Sequence, residues 1–171
     1  MTDHALRPNT TIVIAESVWG AIHTRLSDAR SDPNDLEEAV RADGKGFHLK
    51  DDWYNGINDA FMLDVRAAES SGDDAIADAV WARRTRERVV EMVETELAGE
   101  RTDHDGRPVD PAGHFWLSAT LVEAYTGLGR ASEAAALEAE AETSAPESWM
   151  VETLNGQLAA LERLHASADG A

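Results

Sequence analysis

Apolar residues return every three or four positions over almost the whole chain, the spacing that lines them up on one stripe of an α-helix. The alternation of a half-buried strand is confined to the short Thr11 to Ala15 stretch. The pattern predicts seven helices, at about residues 14 to 30, 34 to 46, 53 to 69, 74 to 98, 114 to 127, 131 to 144 and 147 to 165. Stop and start signals separate them: Ser31-Asp32-Pro33, Ser70-Ser71-Gly72-Asp73, Gly127-Leu128-Gly129 and Ser144-Ala145-Pro146. Turns this short join antiparallel neighbours. One long break, Gly99 to Gly113, contains Gly106, Pro108, Pro111 and a run of charges. It is expected to be a surface loop, mobile more than functional. The small polar residues from His165 to Ala171 are expected to fray. The division that follows is an N-terminal extension over 1–13, a helical domain over 14–165 and a flexible tail over 166–171.

Composition narrows the classes of function. A chain of 171 residues with 43% apolar content can bury a core as one domain without covalent staples. The absence of cysteine excludes disulfides, cysteine-ligated zinc or iron–sulfur centres and a thiol nucleophile. With 33 acidic against 15 basic residues and a net charge of -18, the chain is expected to be repelled by nucleic acid and by anionic lipid. The longest apolar run, Ile12 to Ala15, is far short of a membrane span. The Met1 to Asn9 stretch has no apolar segment of a secretory signal, so a cytoplasmic location is expected.

Helix pairs of this length invite comparison with the tetratricopeptide repeat, whose period is about 34 residues. Leu121, Tyr125, Gly129, Ala134, Ala141 and Pro146 fall at the positions where that repeat uses a packing leucine and tyrosine, a turn glycine, two small residues at the helix crossing and a terminating proline. Small residues let helices approach, glycine supplies a positive-φ turn, and proline stops the helix. Ser118, Val122 and Glu138 depart from the pattern, so the repeat is degenerate. The preceding pair keeps Gly72, Ala77 and Trp81, and the first pair keeps only Ala39 and Gly46. The last helix, with Trp149, Met150, Leu154, Leu158, Leu161 and Leu164, has an apolar face and no partner after it, as a solenoid cap would. The expected fold is all-α, an α-α superhelix of about three degenerate tetratricopeptide-like hairpins with a C-terminal capping helix.

A narrower resemblance is carried by Asp52-Trp53-Tyr54-Asn55-Gly56-Ile57-Asn58-Asp59-Ala60 and by Trp116-Leu117-Ser118-Ala119-Thr120-Leu121-Val122-Glu123-Ala124. The chain resembles the TRAFs-binding domain family, a tetratricopeptide-like region of apoptosis-signal-regulating kinases and of bacterial multidomain proteins. The family's Tyr-x-Gly-Ile-Asn-x-Ala signature corresponds to Tyr54, Gly56, Ile57, Asn58 and Ala60. The resemblance implies a regulatory interaction module without catalysis of its own.

Two charged positions break the apolar stripes. Asp64 stands where the repeat wants leucine, beside Trp53, Ile57, Phe61 and Ala68, and Arg86 interrupts the stripe of Ala75, Ala79, Ala82, Val90, Val93 and Leu97. One expectation is an interhelical ion pair of Asp64 with Arg86 or Arg83. The other is that Arg83 and Arg86 line a groove for an acidic peptide or a carboxylate, which a guanidinium fork suits. Arg84 and Arg88 fall on the solvent side, within reach of Glu87 and Glu91. Tyr54 and Asn58 are candidate groove contacts whose alternative is local backbone satisfaction. The tryptophans Trp19, Trp53, Trp81, Trp116 and Trp149 are spread one to a helical unit, which suits packing of the core and helix seams.

Metal and catalytic motifs are lacking. His4, His23, His48, His104, His114 and His165 include no pair at i, i+4 and no His-Glu-x-x-His. Aligning Gly106 with the glycine of a calcium loop puts Arg101 at the first ligand and Ala112 where glutamate belongs. Gly44-Lys45-Gly46 lacks the rest of a phosphate-binding loop, and Gly-x-Ser-x-Gly is absent. No cofactor and no metal are expected. The functional expectation is a non-catalytic scaffold or adaptor that binds a partner protein or peptide in a helical groove, or assembles with itself. The alternative is a small-molecule sensor or enzyme with a pocket between the repeats and the 99–113 loop, built on Arg86, Asp64 and a histidine such as His114.

Overall fold

The computed structural model of the chain describes residues 52–168 without a break and, ahead of them, residues 36, 37, 40, 41, 44, 45, 47 and 49. Two compact units divide the chain, Met1–Ala39 and Val40–Ala171. In the first, Leu36 and Glu37 are described, both in helical backbone, Leu36 buried and Glu37 exposed. The expected helix over 14 to 30, the extension over 1–13, Trp19, Ala39 and Gly46 lie outside the described residues.

In the second unit the described positions between 40 and 49 are helical, and five helices follow: α1 (Trp53–Glu69), α2 (Asp73–Ala98), α3 (Pro111–Gly127), α4 (Ala131–Ser144) and α5 (Ser148–Ala168). The described residues are all-α. Their one departure is an isolated bridge between Thr102 and Pro108. Among the described residues no helix is long and apolar enough to cross a membrane.

Local chemistry sets the boundaries. The Asp52 carboxylate accepts the Tyr54 N–H at 3.0 Å and caps α1. Gly72, at φ 65°, turns the chain into α2, where Asp73 and Asp74 sit in the first turn and complement the helix dipole. Helix α3 begins at Pro111, three residues ahead of the expected 114. Proline and glycine suggested loop at that point, but proline lacks only an N–H that the first helical position leaves unbonded, and Asp110 caps the Gly113 N–H at 3.0 Å. Helix α5 runs to Ala168, past the expected end and into the stretch expected to fray. Leu154, Leu158, Leu161 and Leu164 are all buried and hold its last turns against the body.

The break after α2 is exposed, as expected, but ordered by hydrogen bonds. Asp103 N–H donates to the Arg107 carbonyl at 2.8 Å and Val109 N–H to the Arg101 carbonyl at 3.0 Å. The Asp103 carboxylate also accepts the Asp105 and Arg107 amides, each at 2.9 Å. The segment is a tight hairpin leading straight into the α3 cap.

Helix α1 packs on α2, α2 on α3 and α3 on α4, while α5 packs on both α3 and α1. The last helix therefore does more than end the stack, since it returns to α1. Helix α3 is buried on most of its circumference, which fits an apolar helix at the centre of a fold. Its Leu117, Leu121 and Tyr125 join Ile57, Val89 and Val93 in one cluster. Its Phe115, Ala119 and Val122 join Ala141, Met150 and Leu154 in another.

Leu121, Tyr125, Ala134 and Ala141 are buried, and Gly129 turns at φ 71°. Ala77 and Trp81 are exposed. The buried stripe of α2 passes through Asp78, Ala82, Thr85, Arg86, Val89 and Val93, which rotates residues 77 and 81 outward. Trp53, Trp116 and Trp149 are half-buried, with the rings of Trp116 and Trp149 5.9 Å apart. Gly56 is a close-approach position, because a Cβ there would lie 2.7 Å from Phe47 and from Val89.

Candidate functional site

The two charges that break the apolar stripes meet. Arg86 Nη2 of α2 donates to Asp64 Oδ2 of α1 at 2.6 Å, and the arginine side chain is 1% exposed. Arg83 turns away and pairs with Glu87 on its own helix at 2.6 Å, both side chains being about half exposed. Of the two partners expected for Asp64, Arg86 is the one in contact. A second crosslink joins the same helices: Arg66 donates to both Asp78 oxygens, at 2.8 and 2.7 Å. Arg88 meets Glu91 at 3.1 Å, whereas Arg84 lies over the Trp81 ring instead of reaching Glu87.

Arg86 also ties in α3. Its guanidinium lies against Gly127, where an added Cβ would collide with Nε, Cδ and Cζ. Helix α3 has no basic residue in its last turn, so Arg86 supplies the positive charge that the carbonyl end of a helix attracts. One turn earlier, Glu123 is 2% exposed and accepts from Gln157 Nε2 of α5 at 3.2 Å. Burial pushes its carboxyl up to about 7, against the opposing pull of the Arg86 charge and the Gln157 hydrogen bond. Two polar atoms in this group are buried without a hydrogen-bond partner, Arg86 Nε and Gln157 Oε1.

From α5, His165 Nε2 stands 3.5 Å from Asp64 Oδ2. Burial raises the Asp64 pKa, but the His165 hydrogen bond and the Arg86 charge and hydrogen bond outweigh it, and the carboxyl is held below its ordinary 3.8. The 2.6 Å guanidinium contact is geometrically the firmer hold.

Over this group opens a cleft of about 430 Å³. Asp64, Arg86 and Gly127 line it together with Ala67, Ala68, Ala75, Ile76, Ala79, Leu128 and Leu164, and Arg83 and His165 also border it. The structure thus brings Arg83 and Arg86 into one cleft, with Asp64 between α1 and α2. Tyr54 and Asn58 do not line it. Tyr54 lies in the first turn of α1 and Asn58 is buried, 6% exposed. No residue of 99–113 lines the cleft, and His114 pairs with Glu100 at 2.6 Å instead. The histidine at the cleft is His165.

Glu123, Gln157 and His165 were not singled out by sequence. The available signal was a carboxylate and an amide inside otherwise apolar helical stripes, the same kind of break that revealed Asp64. On the exposed hairpin, Asp103, His104 and Asp105 bring three ligand-type atoms within 4.8 Å of one another, but Asp103 Oδ1 already accepts two backbone amides.

Chemically, the cleft offers guanidinium donors, one ionised carboxylate, an imidazole beside it and small apolar walls. Such a surface can hold an amphipathic ligand in one orientation. No family model, curated protein or solved structure matches the chain.

Proposed function

We propose that this chain is a non-catalytic interaction module, a scaffold or regulatory adaptor built of tetratricopeptide-like hairpins akin to the TRAFs-binding domain family. Its binding element is the cleft between α1, α2 and the end of α5. The observation that carries this reading is the composition of the cleft, apolar walls of alanine and leucine above a buried arginine, with a second arginine at the rim. The packing of α5 on α1 favours this local cleft over a long open groove as the place of contact.

Affinity capture from native lysate at moderate salt tests it, with Ala79→Trp to fill the cleft and Arg83→Glu to reverse the rim charge. Both positions are exposed, so neither substitution disturbs the core. Arg86→Glu is unsuitable because it would bury a carboxylate beside Asp64. A polypeptide retained by the wild-type chain and lost from both variants supports the adaptor. If capture is absent, or indifferent to both substitutions, the reading fails.

The second reading, a small-molecule sensor or enzyme, is favoured by one observation: His165 stands 3.5 Å from Asp64 at the cleft, a pairing of imidazole and carboxylate that enzymes use. Turnover of a metabolite that is lost in His165→Gln, with thermal stability retained, would select it.

A further inference from the structure

The cleft is a place where the charge balance of the molecule inverts. The chain has 33 acidic against 15 basic residues, yet the cleft lining holds two arginines and a histidine against the single carboxylate of Asp64. That carboxylate is already bound by Arg86 at 2.6 Å and stands 3.5 Å from His165. Arg86 Nε is buried and packed against Gly127, so Arg86 lends the cleft its positive charge and Arg83 is the accessible donor. The Arg83 guanidinium is engaged on the surface by Glu87, and exposed helical pairs of that kind are weak. Arg83 can therefore exchange Glu87 for a better placed anion at little cost.

The remaining lining decides what the anion is attached to. Alanines of α1 and α2 line it together with Leu128 and Leu164, a surface that gains from an apolar tail. With few donors besides the arginines, the cleft suits a monoanion better than a dianionic phosphate. Asp64 is the single carboxylate of the lining, too little for a divalent cation, and the carbonyl end of α3 already has Arg86 as its positive charge. A volume of about 430 Å³ is at the small end for ligand sites and has room for a tail of a few carbon atoms.

We propose that the cleft binds a monocarboxylate with a short apolar tail, the carboxylate drawn to Arg83 and Arg86 and the tail laid against the alanines of α1 and α2. This rests on the cleft being the binding element of the adaptor. The chemistry has two sources, a free short-chain acid or the C-terminal residue of an apolar peptide.

Titrations followed by backbone amide shifts, with the full chain, test it and separate the sources. The probes are hexanoate, hexylamine, 1-hexanol, and a tetrapeptide ending in leucine with a free or an amidated C-terminus. Hexanoate or the free-acid peptide should saturate shifts at Ala68, Ala79 and Leu128, at least about tenfold more tightly than its uncharged or amino counterpart. Arg83→Gln should weaken that binding by about tenfold, and Ala79→Phe should abolish it, with spectra elsewhere unchanged. Hexanoate alone identifies a free acid, and the free-acid peptide alone identifies a chain terminus; either supports the proposal. Hexylamine or hexanol binding as tightly, shifts that map elsewhere, or an unchanged affinity in Arg83→Gln overturns it. If neither carboxylate binds while Ala79→Trp still releases a captured polypeptide, the carboxylate assignment fails and the adaptor stands. Carboxylate binding with no polypeptide captured is the reverse result.

Discussion

The hairpin between α2 and α3 and the base of the cleft both set a carboxylate beside a histidine, by opposite routes. On the hairpin, Asp103, His104 and Asp105 are consecutive and all exposed. Their contacts, a 3.4 Å approach of His104 to Asp105 and two backbone amides on Asp103, are local in sequence. At the cleft, Asp64, Arg86, Glu123 and Gln157 come from four different helices, and apart from the half-exposed His165 the group is largely shielded from water. The hairpin charges can lose a partner to water almost freely, whereas a buried charge left alone has no substitute. Spatial density of charge is thus a poor guide to consequence, and burial is the better one.

The sharpest way to break this comparison is Arg86→Met. It strips the partner from Asp64 and the nearest positive charge from Glu123, and should cost about 3–5 kcal/mol in chemical denaturation. Unchanged stability would mean that the buried pair does not hold α1, α2 and α3 together.

Glu123→Gln comes next, and its effect depends on pH. The folded carboxyl titrates near 7 against an ordinary 4.5, so between those values the folded chain keeps a proton that the unfolded chain has released. Wild-type stability should fall as pH rises through that window and level off above it, by about 3 kcal/mol in all. The glutamine variant should lack this slope and gain on the wild type by that amount between pH 4.5 and pH 8. Asp64 has the opposite sign: its lowered pKa gives stability present above 3.8 and lost as pH falls further. Parallel profiles for wild type and Glu123→Gln would show that Glu123 does not set this pH dependence.

Gly127→Ala sharpens the comparison at lower amplitude. Alanine in a helix ordinarily gains up to about 1 kcal/mol over glycine, but here the methyl group would meet the Arg86 guanidinium. A loss of about 1–3 kcal/mol is expected, and a gain in melting temperature would show that Arg86 can move aside. The smallest effects belong to the hairpin. Asp103→Ala should cost about 1 kcal/mol and quicken hydrogen exchange at the Asp105 and Arg107 amides, whereas His104→Ala should leave stability unchanged.

Much of the helical framework was legible because its causes are local. Caps, prolines and apolar spacing act within a few residues, and α1, α2 and α4 lie within one residue of the expected bounds. Helix α3 starts three residues ahead of the spacing because Pro111, a breaker inside a helix, is compatible with a first helical position. The end of α5 was misplaced because polarity suggested fraying, while burial of Leu161 and Leu164 anchors the preceding turn. For the cleft, Asp64 and Arg86 were visible as charges inside apolar stripes. Arg83 shares the cleft but not the pair, and Tyr54 and Asn58 lie elsewhere on α1.

Among the described residues, the sequence by itself determined most of which segments are helical, which faces are apolar and which two charges must be reconciled with a core, because each depends on neighbours a few bonds or one turn away. Tertiary structure alone decided that Arg86 chooses Asp64 over solvent, that Gly127 makes room for it, and that Glu123, Gln157 and His165 arrive from α3 and α5. Those choices depend on how separated helices pack, and burial, which sets the strength of every charge involved, exists only once they have done so.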